Sequence, residues 1–382
     1  MLSISAFSIS VFVGMYFVFW QNIISPHQAP FLRSLAEFGH EVVVIAADDM
    51  TSDRTMLGWK VPDLGKARVV INPNLVEVRQ LVNGSPRDSV HIMAGARWYP
   101  LGNQALQQCR KSGRRVGVLS EAPDPRGLGG CARWAKYTLE RFSIGSHYDF
   151  VLAMGELGVK WFRSCGYPVH RVFPFAYVPE GFPIVQAHSP NSSVSLLFAG
   201  RFLHLKGLDL LLRAFAEIPQ DRTQLRLLGD GPEKQNLQNQ TTSLGIFARI
   251  IWLPKTDSLG VLGEMGRADV TLLPSRKDGW GAVVNESLSV GTPVICSAAC
   301  GAAELIHEPW LGTVFKSGSI PDLTRALQHW IDIGPRKEIE RDRIRNWAKC
   351  ISGDAVASFF LAIMKHIYAS ADRPEAPWRI SK

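Results

Sequence analysis

Twice along this 382-residue chain, short β-rich runs alternate with helical stretches, and a proline-rich interval separates the two series. Such alternation dictates parallel sheets covered by helices, because neighbouring parallel strands need a crossover connection. In the first series strands are predicted at Tyr16–Ile24, Glu41–Ala46, Ala67–Ile71, Val90–Ala94, Arg115–Leu119 and Phe150–Met154. Helices fit at Gln28–Phe38, closed by Gly39, at Leu101–Lys111 and at Cys131–Ile144, with Gly127–Gly130 as a flexible loop. Pro179, Gly181, Pro183 and Pro190 then interrupt every pattern. The second series places strands at Val194–Ala199, Gln224–Leu228, Arg249–Leu253, Asp269–Leu273, Pro293–Cys296 and Gly312–Phe315. Its helices fall at Lys206–Glu217, Glu233–Leu244, Asp257–Met265, Ala282–Val290 and Asp322–Ile333. Arg336–Ala371 reads as two helices broken at Gly353. The expected architecture is α/β, with two Rossmann-like doubly wound domains facing across a cleft and ligand beyond the carboxyl ends of the strands. Its divisions are an extension (1–14), a first domain (15–178), a linker (179–192), a second domain (193–352), and a helix and tail (353–382) crossing back to the first domain.

Apolar residues at 46% and charged residues at 20% exclude a disordered or fibrous chain. No charged side chain occurs from Met1 to Leu32, and Ile4–Ile24 approaches the length of a membrane span. Serines, Gln21 and Asn22 interrupt it, and no basic region precedes it. A buried first strand beginning near Met15 is the reading adopted, with Met15 as an alternative translation start. The six cysteines lack the partners of a zinc site and read as reduced core thiols. Of the net charge of +8, +6 falls in residues 1–178. This suits an anionic membrane surface or a phosphorylated substrate, and no nucleic-acid motif accompanies it. Arg110, Lys111, Arg114 and Arg115 are its densest cluster, read alternatively as a cationic helix end.

Three segments of the second series carry chemistry. In Leu197-Phe-Ala-Gly-Arg-Phe-Leu-His-Leu-Lys-Gly207, Arg201 and Lys206 follow a strand ending at Gly200, where cations suit a diphosphate. Leu227-Leu-Gly-Asp-Gly-Pro-Glu233 is a glycine turn that either approaches a ligand or simply joins strand to helix. Leu273-Pro-Ser-Arg-Lys-Asp-Gly-Trp-Gly-Ala-Val-Val-Asn-Glu-Ser287 leads through a glycine-bearing loop into a helix. Asp278 precedes that helix start and Glu286 follows it, so two acceptors flank a seat for phosphate.

Together these segments resemble the retaining, GT-B-fold glycosyltransferases of the large family 4 type (glycosyl transferases group 1). There a Gly-Arg…Lys-Gly element precedes an acid-x7-acid element, and the likeness runs over Val194–Ile306. The resemblance implies that Arg201 and Lys206 bind the donor's phosphates and stabilise charge on the leaving diphosphate. Glu286 would accept ribose hydroxyls, and Asp278, standing where the family usually has Glu, would touch the sugar. Gly200 and the backbone N–H groups of Gly279, Trp280, Gly281, Ala282, Val283 and Val284 would line sugar and phosphate. The implied enzyme is a metal-independent, hexosyltransferase-type glycosyltransferase with no cofactor, taking a UDP- or GDP-sugar as co-substrate. Its acceptor would be a glycan or lipid-linked molecule in lipopolysaccharide or exopolysaccharide synthesis. It would be cytoplasmic, peripheral at the inner membrane face.

The first domain should hold the acceptor. His27, in Ser25-Pro-His-Gln28 after the first strand, contacts a substrate or caps the next helix. Glu121 is a cleft-facing or a surface carboxylate, and Trp98 and Tyr99 stack on a sugar or join the core. No G-x-G-x-x-G follows the first strand, against a nucleotide-dependent oxidoreductase. A GT-B-fold epimerase and a non-catalytic nucleotide-sugar binder are the alternatives.

Overall fold

The computed structural model describes residues 14–51, 55, 60–95, 99–143, 145–181, 193–219 and 223–380. Residues 1–13 of the extension, residues 182–192 of the linker and Trp98 lie outside them. Among the described residues there are two compact units. One is formed by the chain up to Glu180 together with Ser352 onwards, the other by Gly181–Ile351.

The first unit runs β1 (Tyr16–Gln21), α1 (Ala29–Glu37), β2 (Glu41–Ala46), β3 (Arg68–Ile71), α2 (Leu75–Gly84), β4 (Val90–Ala94), α3 (Pro100–Lys111), β5 (Arg115–Ser120), α4 (Gly127–Ser143), β6 (Phe150–Met154), α5 (Gly155–Ser164) and β7 (Val172–Phe175). The second runs β8 (Val194–Ala199), α6 (Leu208–Ala216), β9 (Thr223–Leu228), α7 (Lys234–Ser243), β10 (Ile250–Leu253), α8 (Ser258–Arg267), β11 (Val270–Leu273), α9 (Ala282–Ser289), β12 (Val294–Ser297), β13 (Gly312–Phe315), α10 (Ile320–Ile333) and α11 (Glu338–Ala348). A last helix, α12 (Gly353–Ala369), belongs to the first unit.

Each unit holds one all-parallel sheet, ordered β3-β2-β1-β4-β5-β6-β7 and β10-β9-β8-β11-β12-β13. In both, the order reverses beside the unit's first strand, which makes each a doubly wound Rossmann-like sheet. The central strands are apolar on both faces: Phe17 through Trp20 and Leu196 through Ala199 are buried. That is how a parallel sheet covered on two sides must read. The α12 helix closes the first unit by inserting Phe360 among Phe17, Phe19, Phe31 and Phe150. Gly353 permits its start, since a Cβ there would lie 2.6 Å from the Pro30 carbonyl oxygen.

Four elements differ from the sequence reading, one of them α5 (Gly155–Ser164), which no predicted helix covered. Gly127–Gly130 is the first turn of α4 and not a loop. Asp124 Oδ1 accepts from the Arg126 N–H at 3.1 Å, and the Gly130 N–H donates to Arg126 O, so the helix is already under way. The α2 helix went unpredicted although Asn74 and Glu77 form a full capping box at its start. β7 went unpredicted because it contains Pro174, and it survives as the edge strand of its sheet. The Arg114 cluster is largely structural: its guanidinium donates to the carbonyls of Val82, Asn83 and Pro86 at the end of α2.

Candidate functional site

In the second sheet the order reverses between β8 and β11, and the loops leaving those strands carry the predicted residues. The β8 loop folds onto the β9 loop through Gly200 N–H to Leu228 O (3.0 Å) and Phe202 N–H to Asp230 O (2.8 Å). Arg201, between these anchors, is exposed, and its guanidinium has no partner among the described residues. Gly207 then takes φ +70° to start α6, and a Cβ there would stand 2.2 Å from Pro274 O. Only a glycine lets the two loops approach so closely.

This approach sets Lys206 Nζ 2.6 Å from Asp278 Oδ2, with both side chains largely shielded from water. Backbone contacts hold the acid in place: Asp278 N–H donates to Ala299 O at 3.1 Å, and Asp278 bridges to Cys300. Gly281 caps α9 in a left-handed conformation (φ +95°) that brings Leu273 Cδ2 within 2.7 Å of where a Cβ would be. Its carbonyl accepts from the Val284 N–H at 3.0 Å. Val284 is therefore withdrawn from the donors expected to face a ligand, and Ala282 and Val283 stand before it at the helix start. The Trp280 ring is likewise not a lining group. It is buried, and its Nε1 donates to Asn285 Oδ1 at 2.7 Å. Gly279 lies beside Gly301, whose Cβ position is 2.5 Å from Gly279 O, so its backbone is fixed by the neighbouring loop.

Glu286 lies in the second turn of α9. Its carboxylate makes no hydrogen bond or ion pair among the described residues. Desolvation by the surrounding protein lifts the carboxyl to about 7, although part of the side chain still reaches water. A shielded acid without a partner is an acceptor waiting for donors.

Sequence reasoning missed the residue that fastens this site. Arg276 grips Asp209 with two hydrogen bonds (2.6 and 2.7 Å) and donates from Nη1 to His204 O (2.8 Å). Its own N–H donates to Leu205 O at 2.8 Å. The β11 loop is thereby clamped to the turn that presents Lys206. Burial alone would raise the Asp209 carboxyl, but the Arg276 hydrogen bonds and charge outweigh it and hold it below the usual range. Arg276→Ala and Asp209→Ala are each expected to cost about 2 kcal/mol, since each strands a half-buried charge. The double variant should cost at least ~1 kcal/mol less than their sum, as urea denaturation would report. Full additivity would mean that the clamp carries no energy.

The first unit gathers its candidates around a residue that sequence reading placed only at a boundary. Tyr177 OH donates to Glu121 Oε1 at 2.9 Å, and the His27 ring stacks on the Tyr177 ring at 5.8 Å. The three leave the carboxyl ends of β1, β5 and β7. The N-cap of α1 is Gln28, so His27 is not a cap. Tyr99 belongs to the core, where burial pushes its hydroxyl well above the usual range.

Residues 181–349 match the family model for glycosyl transferases group 1. The second unit is a group 1 glycosyltransferase domain. A D-inositol 3-phosphate glycosyltransferase of Mycolicibacterium smegmatis is 27% identical over 197 residues, which are 49% of this chain and 44% of that protein. The match thus spans under half the length of this curated relative. The lipopolysaccharide outer core galactosyltransferase WaaB superposes with a TM-score of 0.68 at 17% identity, over 93% of this chain and 99% of that one. Anabaena Alr3699/HepE in complex with UDP gives 0.65 at 17% identity, over 93% and 98%. These likenesses show a GT-B fold, two Rossmann-like sheets in one chain. Within the glycosyltransferase domain, Arg201, Lys206, Asp278 and Glu286 all lie inside the matched residues.

Proposed function

We propose that the chain is a retaining glycosyltransferase that moves a hexosyl group from a UDP- or GDP-sugar to a glycan or lipid-linked acceptor. The observation that carries this reading is the Lys206–Asp278 pair at the β8/β11 reversal, with an exposed Arg201 in the same β8 loop as Lys206 and an unpaired Glu286 on the helix that follows the Asp278 loop. As the anomeric C–O bond breaks, negative charge grows on the departing diphosphate, and a guanidinium, an ammonium and the start of α9 offset it there. These groups supply the neutralisation that a metal would otherwise give, which supports a metal-independent reaction. Asp278 and Glu286 accept hydroxyls of the sugar and the ribose. The acceptor hydroxyl attacks from the face the leaving group vacates and gives it its proton, so configuration is retained.

The His27–Tyr177–Glu121 group supports an acceptor site in the first unit. Surface polysaccharide assembly, at the inner face of the cytoplasmic membrane, is the setting that a +6 surplus in residues 1–178 favours. The deciding experiment is release of nucleoside diphosphate from UDP- and GDP-sugars with and without candidate acceptors. Release only with acceptor is expected. Release without acceptor together with an altered sugar would make the protein an epimerase, and binding without release would make it a sensor. The correct sugar nucleotide at about one hundred times its Kd should stabilise the fold by about 2.7 kcal/mol, read as a rise in melting temperature.

A further inference from the structure

The first unit holds a cavity of about 410 Å³ that the chemistry above does not use. Its walls come from the carboxyl edge of the sheet, where open α/β sheets bind their ligands. Ala47 follows β2, Asn72 and Asn74 join β3 to α2, and Pro100 and Gln104 belong to the start of α3. In the sheet, β2 and β3 stand one and two places from β1, about 5 and 10 Å, and the β1 loop carries His27. The cavity is stiff where it would touch a ligand. Asn74 is held by the α2 capping box: its Oδ1 accepts from the Val76 and Glu77 N–H groups at 2.9 and 3.1 Å, and its own N–H donates to Glu77 Oε2 at 2.7 Å. This fixes the carboxamide and leaves its Nδ2 donor without a partner among the described residues. Asn72 turns the chain in a left-handed conformation (φ +48°) with its N–H on Ala46 O at 2.8 Å. The Asn72 and Gln104 carboxamides make no hydrogen bond among the described residues.

The lining indicates what the cavity takes. Three carboxamides set among proline and leucine side chains suit a sugar ring, whose hydroxyls both give and accept hydrogen bonds while its C–H faces meet apolar walls. The start of α3, which no side chain caps, adds backbone N–H groups that hydroxyl oxygens can use. Among the described residues that line the cavity none carries a charge, and Asp48 and Asp49 directly follow Ala47. A phosphate or a uronate would find no lining cation and two carboxylates in the adjoining loop, so charge disfavours both. We propose that this cavity is an acceptor subsite for a neutral sugar residue, adjacent to the residue that receives the transferred sugar, with Asn72, Asn74 and Gln104 reading its hydroxyls. The offset of one to two strand spacings from the His27 loop is the reach of one or two sugar residues, so the acceptor is at least a disaccharide. This deepens the transferase reading and rests on it.

The test is retention of the full chain, without sugar nucleotide, on an array of immobilised neutral monosaccharides, neutral di- and trisaccharides, and sugar phosphates. Retention on neutral di- or trisaccharides is expected, at least ~10-fold stronger than on monosaccharides. The combined variant Asn72→Gly, Gln104→Ala should bind them at least ~10-fold less, because two hydrogen-bonding groups go while glycine keeps the left-handed turn. Its melting should match the parent's, and UDP- or GDP-sugars should stabilise both proteins alike. Should the combined variant melt early, Gln104→Ala alone decides, with an expected loss of at least ~3-fold. Binding that the folded variants retain in full would overturn the assignment to this cavity. Retention on sugar phosphates alone, equal retention on mono- and oligosaccharides, or no retention on any of them would overturn the class of ligand. Oligosaccharide binding that the variant loses, in a parent that no sugar nucleotide stabilises, would leave the cavity a glycan site and remove the transferase reading instead.

Discussion

Lys206→Ala is expected to lower turnover at least ~100-fold, the loss that follows removal of one preorganised group facing transition-state charge. The geometry makes this a double injury. The ammonium is lost from the diphosphate seat, and Asp278, 2.6 Å from it in the parent, becomes an uncompensated anion beside the same seat. Donor binding should therefore weaken together with turnover. Asp278→Asn separates the two effects. It frees the lysine from its partner, so free UDP or GDP should bind at least as well as to the parent, while transfer falls because the sugar loses its acceptor. Lys206→Arg should recover little, because a planar fork cannot replace a compact point charge 2.6 Å from a carboxylate already held by the turn at Ala299 and Cys300. Steady-state kinetics on the three variants would check the pattern. Parent-like turnover in Lys206→Ala would sink the assignment of the site.

How much of this was legible in advance depended on the range of the interaction concerned. The strands were visible because a two-faced parallel sheet makes nearly continuous apolar runs. Glu41–Ala46, Val90–Ala94, Phe150–Met154, Val194–Ala199 and Gly312–Phe315 match the observed strands residue for residue. That Lys206 and Asp278 stand in loops after strands, and Glu286 in the helix that follows, was legible from the glycines that punctuate those segments, whereas their roles came from the family resemblance. Arg276 was hidden, since its work is done through Asp209, 67 positions away, and nothing in the local sequence joins the two. Tyr177 was hidden likewise: it unites His27 and Glu121, residues that only the parallel order of β1, β5 and β7 brings into reach. For Trp280 only the backbone was expected to face a ligand; its ring was not placed in advance, and it lies inside the core, where Asn285 satisfies the indole N–H.

Glu286→Gln should make the empty protein more stable above neutral pH while impairing what the protein does. The carboxyl titrates near 7 when folded, against 4.5 for an unperturbed glutamate, and desolvation is the cause. A raised folded pKa means that the acid's contribution is fully present below about 4.5 and is lost as pH rises through about 7. At pH 8 the parent thus carries an ionised, unpartnered carboxylate at a cost of up to about 3 kcal/mol; remaining contact with water makes this an upper limit. Glutamine has the same shape and does not ionise. The variant should therefore gain up to that amount at pH 8 and almost nothing at pH 4.5, as urea denaturation at both values would measure. Binding should move the other way. A carboxylate accepts two ribose hydroxyls, which a protonated acid or an amide cannot do as well, so parent affinity for the sugar nucleotide should rise with pH through about 7. The variant should bind weakly at every pH and show no such rise. If the two proteins unfold alike at pH 8, the buried charge is already compensated and its role as a ligand acceptor is lost. If they differ as described, instability at Glu286 is what keeps the acid available to the donor, a trade of fold stability for binding at one position.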